Sequence, residues 1–162
     1  MSGLDLEQLR RYVVAPALQS VLLWSKSAEN LVLATGLAES RYRYLDQIER
    51  GGDKRPGPAR GLWQMEAATY RDIWDNFLKH NQPLAARIRP FIMDATEPLE
   101  QLHGNLYFAA IMCRVHYFRV PEALPRFDDI EGHARYWKRY YNTIHGAGTV
   151  DGFIQTVYPV FR

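Results

Sequence analysis

Apolar side chains recur at helical spacing along most of this chain. Leu6, Leu9, Val13 and Ala17 share one face of a first helix. Asp5 opens it with Gln8 three residues on, a capping-box arrangement, and Pro16 marks a kink or a break. Residues 31–38 read LVLATGLA and predict a second helix over about 28–38. A third helix fits 66–79, with Tyr70, Ile73, Trp74 and Phe77 as its stripe, and a short fourth covers 83–91. Residues 105–118 are apolar on nearly every side, the pattern of a buried helix. Asp129 caps a helix in which Ile130, Ala134, Trp137 and Tyr141 share a face, with Gly146 and Gly148 closing it. Thr149 then starts a last helix carrying Val150, Phe153, Ile154 and Val157. Residues 50–60, RGGDKRPGPAR, have no period and read as a loop. A short β-hairpin near residues 41–62 fits as well, because Tyr42, Tyr44 and Leu45 precede a Gly-Gly turn signal. The expectation is a mainly α protein with one domain over residues 1–162, of which 1–27 form an N-terminal helical extension.

Composition narrows the class. At 162 residues the chain is long enough to build a core without disulfides, and Cys113 is its single cysteine. Hydrophobic residues at 47% and charged ones at 23% suit a globular protein rather than a disordered one. A net charge of +2 is too small to point to nucleic acid, although it suits an anionic surface such as a bacterial wall. Arg135, Lys138 and Arg139 interleave with Tyr136, Trp137 and Tyr140, a pattern that could bind single-stranded nucleic acid, but with so small a net charge a solvated helix face is much the stronger reading. No uncharged apolar run reaches the length of a membrane-spanning helix, so no stable membrane insertion is expected. Asp5 and Glu7 stand where a signal peptide carries basic residues, which predicts synthesis in the cytoplasm without a leader. Cys113-x-x-His116 is half a metal site at best, and neither a P-loop nor a G-x-S-x-G pattern occurs. No metal or organic cofactor is expected.

The candidate chemistry begins at Glu39, an acid ending an apolar helical segment. The partial negative charge of a helix C-terminus and apolar neighbours both disfavour ionisation. A general acid that must hold its proton near neutral pH needs that upward shift. Gly61-Leu62-Trp63-Gln64 follows a polar loop: Gly allows close approach, Trp63 offers a sugar-stacking face, and Gln64 offers an amide. Tyr141-Asn142 ends a helix before a Gly-containing turn and offers a phenol to hold a nearby acid. Each segment alone has an ordinary explanation: a surface Glu, a buried Trp, a core Tyr.

In this order, Glu39-Ser40, then Gly61-Leu62-Trp63-Gln64 with Thr69 behind it, then Tyr141-Asn142 before Gly146, Gly148 and Val150, resemble the soluble lytic transglycosylases and goose-type lysozymes. The likeness covers about residues 28–155, and 105–118 is similar to that family's buried middle helix. Trp63 stands where Met is usual, and the turn after Asn142 is longer. The small size and missing leader look like a phage-encoded member.

The resemblance implies a lysozyme-like fold and cleavage of the glycosidic bond between N-acetylmuramic acid and N-acetylglucosamine in peptidoglycan. It implies Glu39 as the acid and base. Ser40, Trp63, Gln64, Tyr141 and Asn142 would line the substrate, with Tyr141 orienting Glu39 and Asp46 positioning a water. Asp53 and Glu66 are the other acids nearest in sequence. The partners implied are peptidoglycan glycan strands and virion or lysis-system proteins, with action at the bacterial wall. The competing expectation is a lysozyme-like scaffold without activity, serving as a structural or wall-binding virion part.

Overall fold

The computed structural model describes residues 3–48, 56–143 and 146–162. It is mainly helical, with one small antiparallel sheet. The N-terminal segment runs as α1 (Leu6–Leu9), a π-helical turn (Arg10–Val14) and α2 (Ala15–Ser20). Asp5 caps it by accepting from the Gln8 amide at 2.9 Å. The α-helical ladder is interrupted just before Pro16 by the π-helical turn, and Pro16 then lies in the first turn of α2.

Helix α3 (Lys26–Ser40) starts at Ser25, whose Oγ accepts from the Ala28 amide at 3.0 Å. Its residues from Ala28 to Gly36 are all buried, so it forms the axis around which the other helices pack. It stops at Arg41 and Tyr42, both in left-handed backbone with φ of 53° and 52°. Tyr42 folds back so that its hydroxyl donates to the Leu33 carbonyl at 2.9 Å. Gly36 is required beneath it, because a Cβ there would lie 2.5 Å from the Tyr42 ring.

The sheet follows in the order β1 (Asp46–Ile48), β2 (Pro56–Arg60), β3 (Met65–Glu66). Asp46 pairs with Arg60 and Ile48 with Pro56 across an irregular register; Arg60 then pairs with Met65. Residues 56–60, expected as loop, are therefore a strand. The ladder supplies the order that the Gly-Pro composition lacks, and Pro56 and Pro58 precede Ala59 and Arg60, the β2 residues that pair with β3, so they lie on a stretch with a neighbouring strand on one side only. The expected Gly-Gly turn at residues 51–52 lies outside the described residues.

Beyond the sheet come α4 (Ala67–Asp72), which runs into a π-helical turn (Ile73–Phe77), and then α5 (Gln82–Ile88). Helix α6 (Leu106–Phe118), capped by Asn105, is buried from Phe108 to Tyr117, as its all-round apolar sequence predicts. Helix α7 (Ile130–Trp137) continues into a π-helical turn (Lys138–Asn142), and α8 (Val150–Val157), capped by Thr149, closes the fold. One hydrophobic cluster runs through α2, α3, α6, α7 and α8 and takes in Trp63 from the β2–β3 turn. Among the described residues, no helix is long and apolar enough to cross a membrane.

Candidate functional site

A cleft of about 990 Å³ opens where α3 ends. One wall is the sheet, with Tyr44, Asp46, Ile48, Gln64 and Glu66; the other is the end of α7, the 146–149 loop and α8. Its volume is at the upper end for ligand sites, enough for more than one sugar ring.

Glu39, one residue before the end of α3, projects into this cleft while remaining half-buried. Its Oε1 accepts from the Trp137 indole Nε1–H at 2.8 Å. Burial pushes the carboxyl up from 4.5 to about 7, although the Trp137 hydrogen bond pulls the other way. The acid therefore holds a proton near neutrality, and the same indole stands ready to stabilise the carboxylate once the proton leaves. Trp137 is itself fixed by stacking on Phe153, with ring centroids 4.6 Å apart, and by Gly148, where a Cβ would meet the indole at 2.4 Å.

Gln64 lines the cleft from the Gly61–Gln64 turn. The turn needs left-handed backbone at Gly61 (φ 74°) and Gln64 (φ 49°), and the Gln64 amide nitrogen donates to the Gly61 carbonyl at 2.8 Å. A Cβ on Gly61 would lie 1.9 Å from the Leu102 carbonyl oxygen, so only glycine fits. Tyr141 and Asn142 also line the cleft. The Tyr141 hydroxyl, however, donates to the Trp63 carbonyl, not to Glu39. Its ring stacks on Tyr117 at 5.3 Å and meets His116 edge-on at 4.9 Å. Trp137 is thus the residue that orients Glu39. Asn142 accepts from Lys138 Nζ at 2.7 Å.

Two expected cleft residues are structural. Trp63 is 1% exposed: its Nε1–H donates to the Val32 carbonyl at 2.9 Å and its ring meets Tyr42 edge-on. The left-handed turn that brings Gln64 to the cleft sends the preceding side chain into the core, so Trp63 offers no stacking face. Ser40 is buried as well. Its Oγ donates to the Leu62 carbonyl at 2.7 Å and accepts from the Tyr42 amide at 3.0 Å, tying α3 to the β2–β3 turn rather than meeting a ligand.

Asp46 lies on the cleft wall, exposed, with an oxygen 2.9 Å from His103 Nε2. Glu66 is also exposed there, and Asp53 lies outside the described residues. His116 reaches the cleft base with Nε2 against the Tyr140 carbonyl at 2.7 Å, and burial lowers its pKa to about 4, leaving it neutral. Cys113 is buried three residues before it. Among the described residues, no three His, Cys, Asp or Glu side chains converge as metal ligands.

The helical repeat places Trp137 on a core stripe with Ile130, Ala134 and Tyr141 and gives no role to its indole N–H. Its position four residues before Tyr141, on the same face, was the available signal. In the Arg135–Tyr141 run, Tyr136 and Trp137 are buried and the Tyr140 hydroxyl donates to Glu122. No protein-family model, curated protein or solved structure matches this chain.

Proposed function

We propose that this protein cleaves the β-1,4 bond between N-acetylmuramic acid and N-acetylglucosamine in peptidoglycan, in the manner of a lytic transglycosylase. The observation that carries the reading is the half-buried Glu39 carboxyl on the cleft wall, held by Trp137 and raised to about 7. Protonated Glu39 donates to the glycosidic oxygen as the C–O bond breaks. The substrate's N-acetyl carbonyl stabilises the oxocarbenium-like carbon, so a second protein carboxylate is not obligatory, a known exception to the two-carboxylate scheme. Glu39, now ionised and supported by the indole N–H, takes the proton of the muramic 6-hydroxyl. That oxygen closes on the anomeric carbon and leaves a 1,6-anhydro sugar. A water placed beside Asp46 would give hydrolysis instead. Action at the bacterial wall, reached through a virion or a lysis pathway, belongs to the same proposal.

The test is digestion of purified peptidoglycan by the wild type and by Glu39→Gln, with soluble fragments read by mass spectrometry. Release by the wild type alone, with a muramic end lighter by one water, about 18 Da, through the intramolecular route, is the expected result. A normal reducing end would make it a lysozyme. No release on several wall types would favour an inactive wall-binding scaffold, and equal release by both proteins would remove Glu39 from its role.

A further inference from the structure

A second, shallower pocket of about 670 Å³ lies beside the cleft, and Thr156 lines both. The boundary between them is narrow elsewhere too. Leu37 and Arg43 line the pocket, while their chain neighbours Ala38 and Tyr44 line the cleft. The two hollows are therefore parts of one surface, with the acid on one side of a low ridge.

The pocket's chemistry differs from the cleft's. Arg41 and Arg43 both line it, facing one acid, Asp5, whose Oδ1 is already accepting from the Gln8 amide. Arg41 is placed by backbone geometry: it caps α3 with φ 53° and donates its N–H to the Leu37 carbonyl. Arg43 is placed by its neighbour, its guanidinium 5.4 Å from the centre of the Tyr44 ring that lines the cleft. Two exposed arginines lining one shallow hollow suit a carboxylate ligand, because a guanidinium presents a planar fork of donors matched to two oxygens.

We infer that this pocket is a subsite for the carboxylates of a stem peptide carried by the sugar that occupies the cleft. The inference rests on the proposed glycan cleavage, which supplies the sugar. Muramic acid bears its peptide through the lactyl group, so a ring held at Glu39 carries an anionic side branch within reach of the adjoining hollow. The ridge at Thr156 and Tyr44 would then sort strands by their substitution as well as by their sugars.

Binding to the non-cleaving Glu39→Gln protein tests this separately from catalysis. Isothermal titration would compare two soluble glycan tetrasaccharides, one with stem peptides and one stripped of them, both free of phosphate polymers. The peptide-bearing ligand is expected to bind about tenfold or more tightly, as one or two charge-assisted contacts imply. In Glu39→Gln/Arg41→Gln/Arg43→Gln the ratio should fall to about one, with an unchanged far-ultraviolet melt excluding a folding defect. Equal binding of the two ligands by Glu39→Gln, or a peptide preference that survives in the triple variant, would overturn the subsite. If the wild type still releases wall fragments in that case, only the subsite falls. If it releases none and neither ligand binds, glycan cleavage falls with it.

Discussion

Glu39 concentrates the proposed chemistry in one titration. Its folded value of about 7 lies above the ordinary 4.5, so between those values the folded protein holds a proton that the unfolded chain releases. Stability is full below about pH 4.5 and falls as pH rises towards 7, by at most about 3 kcal/mol. Thermal melts across pH 4 to 8 should show that slope in the wild type and lose it in Glu39→Gln, which should also be the more stable protein above pH 7. As a general acid, Glu39 should give a rate that falls on the alkaline side as pH rises through about 7. Trp137→Phe removes the one hydrogen bond that lowers this pKa, so the alkaline limb should move upward while the maximal rate drops by about ten- to a hundredfold through lost orientation. A limb that stays in place would mean that the indole does not touch the working carboxyl.

At the scale of elements, the junction between the end of α3 and the β2–β3 turn sets the cleft's shape. Ser40 ties the two through the Leu62 carbonyl, Tyr141 adds a tie through the Trp63 carbonyl, and Gly61 lets the turn approach Leu102. Ser40→Ala leaves a buried carbonyl and a buried amide without their partner and should cost about 1–3 kcal/mol in urea unfolding. Gly61→Ala should cost more, about 3 kcal/mol or above, since its backbone conformation and the Leu102 oxygen both exclude a Cβ. A smaller loss in Gly61→Ala than in Ser40→Ala would show that the turn yields easily.

Across the whole molecule, the two ends of the chain are joined through Arg10, which lies outside the cleft lining. Arg10 reaches Glu29 and Asn30 on α3 and donates to the Val160 carbonyl at 3.0 Å, so one guanidinium links the N-terminal run, the axial helix and the C-terminus. Burial pushes Glu29 upward, but the Trp24, Arg10 and Lys26 donors outweigh it and hold the carboxyl below its usual value. Such a group adds stability above about pH 4.5 that is lost as pH falls. Arg10→Leu takes one of three donors from the buried Glu29 carboxylate and leaves the Val160 carbonyl without its guanidinium partner, so it should cost about 1–3 kcal/mol at neutral pH. Its acid limb of stability should flatten as well. Because Arg10 lies outside the cleft lining, the pH at which the proposed wall cleavage declines should be the same in Arg10→Leu as in the wild type.

Periodicity determined the helices, because a 3.6-residue apolar repeat must bury one face wherever it occurs. The helix starts at Asp5, Asp129 and Thr149 were legible for the same local reason: a side chain bonding an amide three residues on needs nothing distant. Glu39 was legible as an acid at an apolar helix end, and Gln64, Tyr141 and Asn142 as residues that gather at one cleft. A short hairpin within residues 41–62 was legible and is present as β1 and β2, but residues 56–60 read as loop by their own composition, since their order comes from a ladder to distant partners. The exchange of roles among the aromatics was not legible. Sequence offered Trp63 to the ligand and Tyr141 to the acid, whereas tertiary packing turned Trp63 inward, aimed Tyr141 at the Trp63 carbonyl and gave Glu39 to Trp137. An aromatic side chain buries equally well in several directions. Which direction it takes is decided by the left-handed turn at Gly61–Gln64 and by the neighbours that close around it.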